Sequence, residues 1–272
     1  MQKNKTSQKG TRKTRAREKI NAEKLITEDL SPEMFFQKPP IKNQLKINEL
    51  KWTDKQREFF KVALDDQTRV MFLSGPAGTS KTIMAVYVGL RLLNQQKISD
   101  IMYLRSAVES SESRLGFLPG SAEEKLAFYN LPFLDKLDEL VCNASAAKLE
   151  KEGRISMFPV NFARGMNWNG KFIILDEAQN SSFKEIVTVL TRLGHGTKCF
   201  VLGDPMQTDL RNACGSFNEV LGAFSNDESR EKGIHTFELN EDDILRSEIV
   251  KFIVKTINCH QQSKNTRQIN NQ

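Results

Sequence analysis

The sequence predicts an α/β fold with a mostly parallel sheet covered by helices on both faces. Short runs that are apolar at every position alternate with longer helical stretches, and such runs are typical of parallel strands buried on both sides. A chain of 272 residues, 39% of them hydrophobic, is long enough to bury a sheet of this kind. The predicted strands are residues 70–73, 101–104, 172–175 and 199–202, and a helix is predicted over residues 81–93.

The composition excludes several classes of protein. No run approaches the roughly 18 consecutive apolar residues of a membrane-spanning helix, so we expect no membrane association. The N-terminus is polar and basic, which argues against a secretory signal. The four cysteines lie far apart without a CxxC pair, so the sequence predicts neither a zinc site nor a disulfide framework. This cysteine usage fits a reducing compartment, and we expect a cytoplasmic protein.

Three segments are predicted along the chain. Residues 1–45 form a basic, disordered tail and linker, with eight Lys or Arg residues and one Glu between positions 3 and 19. Residues 46–260 form the folded domain, and residues 261–272 form a polar C-terminal tail. An insertion over about residues 109–152 is too long for a simple strand-to-helix loop. Its candidate core positions are Leu126, Phe133, Leu137 and Leu140.

The segment after the first predicted strand has the features of a phosphate-binding loop, or P-loop. It reads GPAGTSKT over residues 75–82, close to the pattern G-x-x-x-x-G-K-[ST], between a strand and a helix. Such a loop turns backbone N–H groups toward phosphates, and the following helix adds its N-terminal dipole. Lys81 is predicted to reach the β- and γ-phosphates, and Thr82 to ligate Mg²⁺. The predicted nucleotide-binding residues of the loop are Gly75, Pro76, Ala77, Gly78, Thr79, Ser80, Lys81 and Thr82.

One position of this loop departs from the pattern. Ser80 stands where the pattern has a glycine, directly before the lysine. A side chain there crowds the loop or requires a backbone angle that glycine adopts more readily. We therefore expect weakened or slowed nucleotide handling rather than loss of binding. An ordinary glycine-rich turn is the alternative interpretation.

Two adjacent acids follow a later apolar strand. Residues 171–179 read KFIILDEAQ, so that Asp176 ends the strand and Glu177 comes directly after it. Asp176 is predicted to hold the Mg²⁺ shell as a Walker B aspartate, and Glu177 to orient and deprotonate the attacking water. The pair favours hydrolysis over nucleotide storage, because storage needs only the magnesium aspartate. A helix N-cap with an acid in the first turn is the alternative.

The strand over residues 199–202 leads into Gly203, Asp204 and Pro205, with Gln207 shortly after. This arrangement is typical of a γ-phosphate sensor in nucleic-acid motors. Gln207 is predicted to hydrogen-bond the γ-phosphate or the lytic water. A simple turn built by the three residues before it is the alternative.

Taken together, these segments resemble the PhoH family of P-loop ATPases, which is related to superfamily 1 helicases. The resemblance runs from about residue 51 to residue 257, and LGFLPGSAEEK (115–125) is its most specific segment. It implies a RecA-like fold, ATP with Mg²⁺ as ligands, and an ATP-driven action on nucleic acid, with RNA preferred. It also implies homo-oligomers such as a hexameric ring. The other segments are GPAGTSKT (75–82), ILDEAQN (174–180), LTRLGHGTK (190–198) and GDPMQTDL (203–210).

The resemblance also assigns roles to residues outside the two main motifs. Gln56 resembles the upstream glutamine that reads the adenine edge in related helicases, although a solvated position on a helix is the alternative. Arg246 and Arg192 are candidates for γ-phosphate contact, within one chain or from a neighbouring subunit. Ser247 replaces a histidine of the family pattern, which leaves the role of that imidazole open.

The leading function is an ATPase coupled to RNA or single-stranded nucleic acid, and the net charge of +6 favours an anionic partner. Arg105 and Arg114 are candidates for contacts with the nucleic-acid backbone, and both are also compatible with surface positions. A slow nucleotide-dependent switch without nucleic acid is the first alternative. A small-molecule kinase is the second, and the Glu177 base argues against it.

Overall fold

The structure of the chain is a computed structural model. The structure describes residues 38–41, 43–106, 122–205 and 216–244, together with helical residues 248–249, 252–253 and 255–256; for residues 122–129 it describes the backbone only. All of them belong to one compact unit, Phe35–Gln272.

Six strands form one sheet in which every neighbouring pair is parallel, in the order β3-β2-β4-β5-β1-β6. The strands are β1 (Val70–Ser74), β2 (Asp100–Arg105), β3 (Ile155–Pro159), β4 (Lys171–Asp176), β5 (Lys198–Gly203) and β6 (Ile234–Glu238). The helices are α1 (Asp54–Leu64), α2 (Lys81–Asn94), α3 (Ala122–Leu140), α4 (Asn143–Lys151), α5 (Phe183–Leu190), α6 (Ser216–Ala223) and α7 (Asp227–Glu231).

Two apolar layers cover the two faces of the sheet. Met71 and Leu73 of β1 point into the layer formed with α1, α2 and α3. Val70 and Phe72, which alternate with them, point into the layer formed with α5 and α6. The alternation follows from the two-residue period of a strand. The predicted α/β fold and its four strands are therefore confirmed.

Helix α2 lies at the centre of the first layer. Most of its residues are buried, since it is packed against the sheet, α1 and α3. Gly89 allows the close approach to the sheet, because a Cβ there would lie 2.9 Å from side-chain carbons of both Ile101 and Phe172. This tight packing fixes the amino end of α2, where the phosphate loop ends.

Helices α3 and α4 connect β2 to the edge strand β3 and occupy the predicted insertion. Phe133, Leu137 and Leu140 of α3 are completely buried in the first layer, as expected for core positions. The side chain of Leu126 lies outside the described residues. The described part of the insertion, from residue 122 onward, thus packs on the domain through α2.

Residues that precede position 46 already contact the folded domain. Leu45 and Asn94, the last residue of α2, exchange two hydrogen bonds: Leu45 N–H donates to Asn94 Oδ1 at 2.8 Å, and Asn94 Nδ2 donates to the Leu45 carbonyl at 2.9 Å. Ile41 packs partly buried against the first layer. The predicted linker therefore includes a part that packs on the domain.

Two strands, β3 and β6, were not predicted from the sequence. Both lie at edges of the sheet and most of their residues are only partly buried. Among the described residues, no helix is long and apolar enough to span a bilayer.

Candidate nucleotide site

The carboxyl ends of parallel strands meet at one edge of a sheet, where ligands of open α/β folds bind. The loop after β1 lies at this edge and is held by its neighbours. Gly75 N–H donates to the Gly203 carbonyl at 3.2 Å, and a Cβ on Gly75 would lie 2.8 Å from Cβ of Leu239. The hydroxyl of Thr79, itself buried, closes the loop by donating to the Pro76 carbonyl at 2.8 Å.

The last loop residue adopts the left-handed conformation. Ser80 has φ 67° and ψ 23°, directly before the first residue of α2, and its side chain makes no capping hydrogen bond. L-residues adopt this conformation at a cost of about 1–2 kcal/mol. Ser80 therefore has the kind of backbone angle that glycine adopts more readily, as expected from its place in the pattern.

Lys81 lies within the curve of the loop. Its Nζ donates to the carbonyls of Gly75 at 2.6 Å and Pro76 at 3.0 Å. Burial lowers the pKa of the Lys81 ammonium, while the carboxylates of Asp204, Asp176 and Glu177 oppose this effect. The ammonium thus lies in a partly desolvated position, surrounded by loop carbonyls and acids.

Asp176 ends β4 and is held by three donors. Thr82 Oγ1 and Tyr103 OH both donate to its Oδ2, at 3.0 and 2.9 Å, and the Glu177 N–H donates to Oδ1 at 3.0 Å. Burial, and then the charge of Glu177, raise the pKa of Asp176, whereas the two side-chain hydrogen bonds lower it. Burial raises the pKa of Tyr103 well above its usual value, so the phenol stays protonated and donates.

Glu177 follows in the left-handed conformation, with φ 52° and ψ 42°. Its side chain is 40% exposed, and Arg105 at the end of β2 lies 3.9 Å from Oε1. Gln179 Nε2 donates to Oε2 at 2.5 Å. This carboxylate therefore reaches solvent at the site edge while two neighbours fix its direction.

Part of the loop, Lys81 and the two acids line one cleft of about 690 Å³, within the usual range for ligand pockets. Its floor is polar and formed by the loop and the acids, and its walls come from the segment before α1 and from α3. The lining residues are Leu50, Lys51, Trp52, Ala77, Gly78, Ser80, Lys81, Thr82, Ile83, Pro132, Lys136, Glu139, Asp176 and Glu177.

The donor set of this cleft fits Mg²⁺ bound together with phosphates. Mg²⁺ prefers oxygen ligands and usually takes one or two protein oxygens plus phosphates and waters. A hydroxyl and a carboxylate meet here, at Thr82 and Asp176, 3.0 Å apart. Within the described part of the chain, no cluster of three or more His, Cys, Asp or Glu residues forms a metal cage. Thr82 and Asp176 are therefore the residues of this cleft that could hold Mg²⁺ together with phosphates.

A family model described as PhoH-like protein matches residues 50–258, which covers the loop, the acids and the strands that carry them. This chain belongs to the PhoH-like family. The resemblance found in the sequence motifs is thereby confirmed.

Curated PhoH-like proteins from several bacteria are similar to this chain. One from Synechocystis sp. is 35% identical over 214 residues, which are 79% of this chain and 62% of the relative. One from Mycobacterium tuberculosis is 38% identical over 193 residues, or 70% and 53% of the two chains. One from Bacillus subtilis is 35% identical over 204 residues, or 74% and 61%. The match thus spans 53% to 62% of the length of these relatives.

In this PhoH-like chain, Gln56 is fully buried, so the solvated alternative is wrong. It forms a capping box at the start of α1, in which Thr53 N–H donates to Gln56 Oε1 at 3.0 Å and Gln56 N–H donates to Thr53 Oγ1 at 3.2 Å. Gln56 Nε2 has no hydrogen-bond partner among the described residues. Its contact with adenine stays a prediction.

Two arginines of the PhoH-like chain differ from expectation in their placement. Arg192 lies near the amino ends of the strands, whereas the phosphate loop lies at their carboxyl ends. Helix α5 runs back toward the amino ends, and the Arg192 carbonyl accepts from the N–H of Trp168, which precedes β4. This argues against contact with a γ-phosphate in the same chain, so only contact from a neighbouring subunit stays a prediction. Arg105 was expected in a loop, but it ends β2 and faces Glu177.

Three predicted residues of the PhoH-like site, Gln207, Arg246 and Arg114, lie outside the described residues. Others at the site were missed by the sequence analysis. Gln179 is the last residue of the KFIILDEAQ segment. Its position two residues after Glu177 is the signal that could have identified it. Tyr103 gives no such signal, since it sits within an apolar strand.

Proposed function

We propose that this PhoH-like chain binds ATP with Mg²⁺ and hydrolyses it to ADP and phosphate. The observation that carries the proposal is the hydrogen bond between Thr82 Oγ1 and Asp176 Oδ2 at 3.0 Å. It joins the end of the phosphate loop to the acidic end of β4, with Glu177 beside them. A loop for phosphates, an oxygen pair for a metal and a carboxylate for water are the parts that nucleotide hydrolysis requires.

Each part of the site has a separate role in the proposed reaction. The N–H groups of the loop and of the first turn of α2 bind the phosphates, aided by the helix dipole. Lys81 Nζ gives up its hydrogen bonds with the loop carbonyls and donates to oxygens of the β- and γ-phosphates instead. Thr82 and Asp176 would hold Mg²⁺. The bound metal would neutralise part of the phosphate charge.

Glu177 acts as the general base. Its carboxylate takes a proton from water as the water oxygen bonds to the γ-phosphorus, and the bond to the β–γ bridging oxygen breaks with its electrons passing to ADP. A base of this kind contributes about 10²–10⁴-fold to the rate. In this proposal Gln207 senses the γ-phosphate, Arg246 contacts it, and Arg192 contacts it from a neighbouring subunit of a homo-oligomer such as a hexameric ring.

RNA or single-stranded nucleic acid is the proposed partner. The net charge of +6 and the isoelectric point near 9.1 support an anionic partner. The dense basic segment between positions 3 and 19 is suited to phosphate contacts that do not depend on base sequence. ATP turnover would then drive movement or remodelling of the bound strand.

A slow nucleotide switch without nucleic acid is the second candidate. The observation that favours it is the engagement of both Glu177 oxygens, one by Gln179 and one by Arg105 at 3.9 Å. Each oxygen must therefore leave its neighbour before it can accept a proton from water. Turnover would then be slow and unaffected by RNA.

Calorimetry with Mg·ATP and turnover with and without RNA test the proposal. We expect binding by the purified full chain and its loss in Lys81→Ala, while Lys184→Ala, on the exposed surface of α5, binds normally. Stimulation of turnover by RNA supports coupling; RNA-independent slow turnover supports the switch. Absence of Mg·ATP binding by the folded wild type contradicts the whole proposal. Products other than ADP and free phosphate would favour the kinase alternative.

A further inference from the structure

A tyrosine beneath the acidic strand end has no part in the roles assigned above. Tyr103 lies on β2, next to β4 in the sheet, and is 1% exposed. Its OH donates to Asp176 Oδ2 at 2.9 Å. The same oxygen accepts from Thr82 Oγ1 at 3.0 Å. One carboxylate oxygen thus receives a hydrogen bond from each of two buried or half-buried hydroxyls.

We propose that Tyr103 is a positioning residue that fixes the carboxylate of Asp176 in the orientation needed for magnesium. The inference rests on the proposed function and adds a residue to it. With Thr82 and Tyr103 on Oδ2 and the Glu177 N–H on Oδ1, rotation of the carboxylate about its Cβ–Cγ bond would break at least one bond. Donors of this kind orient metal-binding carboxylates, and their loss typically costs 10–100-fold in metal affinity or activity.

The tyrosine is itself held by helix α3. The rings of Tyr103 and Phe133 pack with centroids 5.0 Å apart and an interplanar angle of 41°. Phe133 is completely buried, and its neighbour Pro132 lines the cleft. Tyr103 therefore lies between this helix and the proposed metal position and contacts both Phe133 and Asp176.

The variant Tyr103→Phe removes only the hydroxyl and retains the ring packing. The measurement is the affinity for a fluorescent ATP analogue as free Mg²⁺ is varied, with a parallel titration in EDTA. We expect the Mg²⁺ concentration at half-maximal binding to rise by about tenfold or more, while the affinity in EDTA stays unchanged. Phe133→Leu, which loosens the ring, should shift the Mg²⁺ dependence in the same direction by less.

Tyr87→Phe is the matched control. Tyr87 is a buried tyrosine on α2 whose OH bonds with Glu49 and Arg91, outside the pair of Thr82 and Asp176. It should bind the analogue with the wild-type Mg²⁺ dependence. A purely structural role for Tyr103 would instead lower the unfolding temperature and weaken binding equally in Mg²⁺ and EDTA.

The outcomes separate this inference from the function on which it rests. A wild type with Mg²⁺-dependent binding and an unchanged Mg²⁺ dependence in Tyr103→Phe overturns the role of Tyr103 and leaves the nucleotide site standing. Equal losses in Mg²⁺ and EDTA overturn it as well. A wild type whose nucleotide binding does not respond to Mg²⁺ overturns both.

Discussion

Gln179 donates from Nε2 to Oε2 of Glu177 at 2.5 Å, and its own Oε1 accepts from the Asp204 N–H at 3.0 Å. One side-chain amide thus connects the proposed base, directly after β4, with Asp204, directly after β5. Gln179 is 6% exposed, so this connection lies beneath the surface of the site. The direction of the Glu177 carboxylate therefore depends on the backbone position of Asp204.

Replacing this amide should lower turnover without preventing nucleotide binding. In Gln179→Met the Glu177 carboxylate loses its donor and turns more freely, so we expect a lower kcat with an unchanged Kd for Mg·ATP. The Asp204 N–H loses its hydrogen bond to Gln179 Oε1, and such a bond contributes about 0.5–1.5 kcal/mol of stability. Steady-state kinetics, calorimetry and urea unfolding separate the effects. A loss of affinity equal to the loss of kcat would show that Gln179 supports the loop rather than the base.

Glu177→Gln removes the proposed base and retains the size of the side chain. We expect Mg·ATP binding to persist and turnover to fall by about 10²–10⁴-fold. The matched control is Glu150→Gln on the exposed face of α4, which should hydrolyse ATP at the wild-type rate. Single-turnover phosphate release measures both variants. Wild-type release by Glu177→Gln would remove this residue from the reaction.

Ser80→Gly should stabilise the protein. Glycine relieves about 1–2 kcal/mol of left-handed strain and gives back roughly 0.4–1 kcal/mol through the greater freedom of the unfolded chain. The free energy of unfolding should therefore rise by about 0.5–1 kcal/mol, and ATP binding should not weaken. Ser80→Ala keeps the strain and should not stabilise.

Gln96 provides the comparison outside the site, because it has φ 58° after the end of α2. Gln96→Gly should stabilise by a similar amount and leave nucleotide binding untouched. Denaturant unfolding and calorimetry test both positions. A destabilised Ser80→Gly protein would mean that the serine hydroxyl supports the loop in a way that the contacts described above do not include.

The free energy of unfolding should depend on pH in the alkaline range because of Lys198. Burial lowers the pKa of this lysine from 10.5 to about 8, and its Nζ donates to the carbonyls of Ala63 and Asp65 at the end of α1. Between pH 8 and 10.5 the unfolded chain therefore holds a proton that the folded chain has released. Stability due to this group accordingly rises with pH across that window.

The comparison with Lys198→Met isolates this effect from other titrating groups. The difference in unfolding free energy between wild type and variant should shift in favour of wild type as the pH increases from about 8 to about 10.5. Urea unfolding at several pH values measures the difference. A constant difference across this window would contradict a lowered pKa for Lys198.

The central strands could be predicted from the sequence because burial on both faces leaves a plain signal. β1, β4 and β5 are buried at every residue and read as continuous apolar runs. β3 and β6 lie at the edges, where one side is only partly covered and polar residues such as Ser156 and His235 are tolerated. Their mixed pattern could not be told from that of a loop.

The candidate site could be predicted as far as its residues follow directly after such strands. Asp176 ends β4, Glu177 follows it directly, and Lys81 follows the loop after β1, so their order along the chain places all three at the carboxyl ends of the strands. Tyr103 could not be predicted, because its contact with Asp176 requires β2 to lie beside β4 in the sheet. For Arg105 the prediction placed the strand end one residue too early.

The reciprocal hydrogen bonds between Leu45 and Asn94 bear on how this protein should be trimmed for expression. A recombinant fragment starting at residue 46 would lack the Leu45 N–H and carbonyl that bond with the Asn94 side chain. It would also expose to solvent the apolar surface that Ile41 covers. A fragment starting at residue 38 would retain these contacts and the Pro39 carbonyl that accepts from Arg154. The longer fragment should be the more soluble and the better suited to crystallisation.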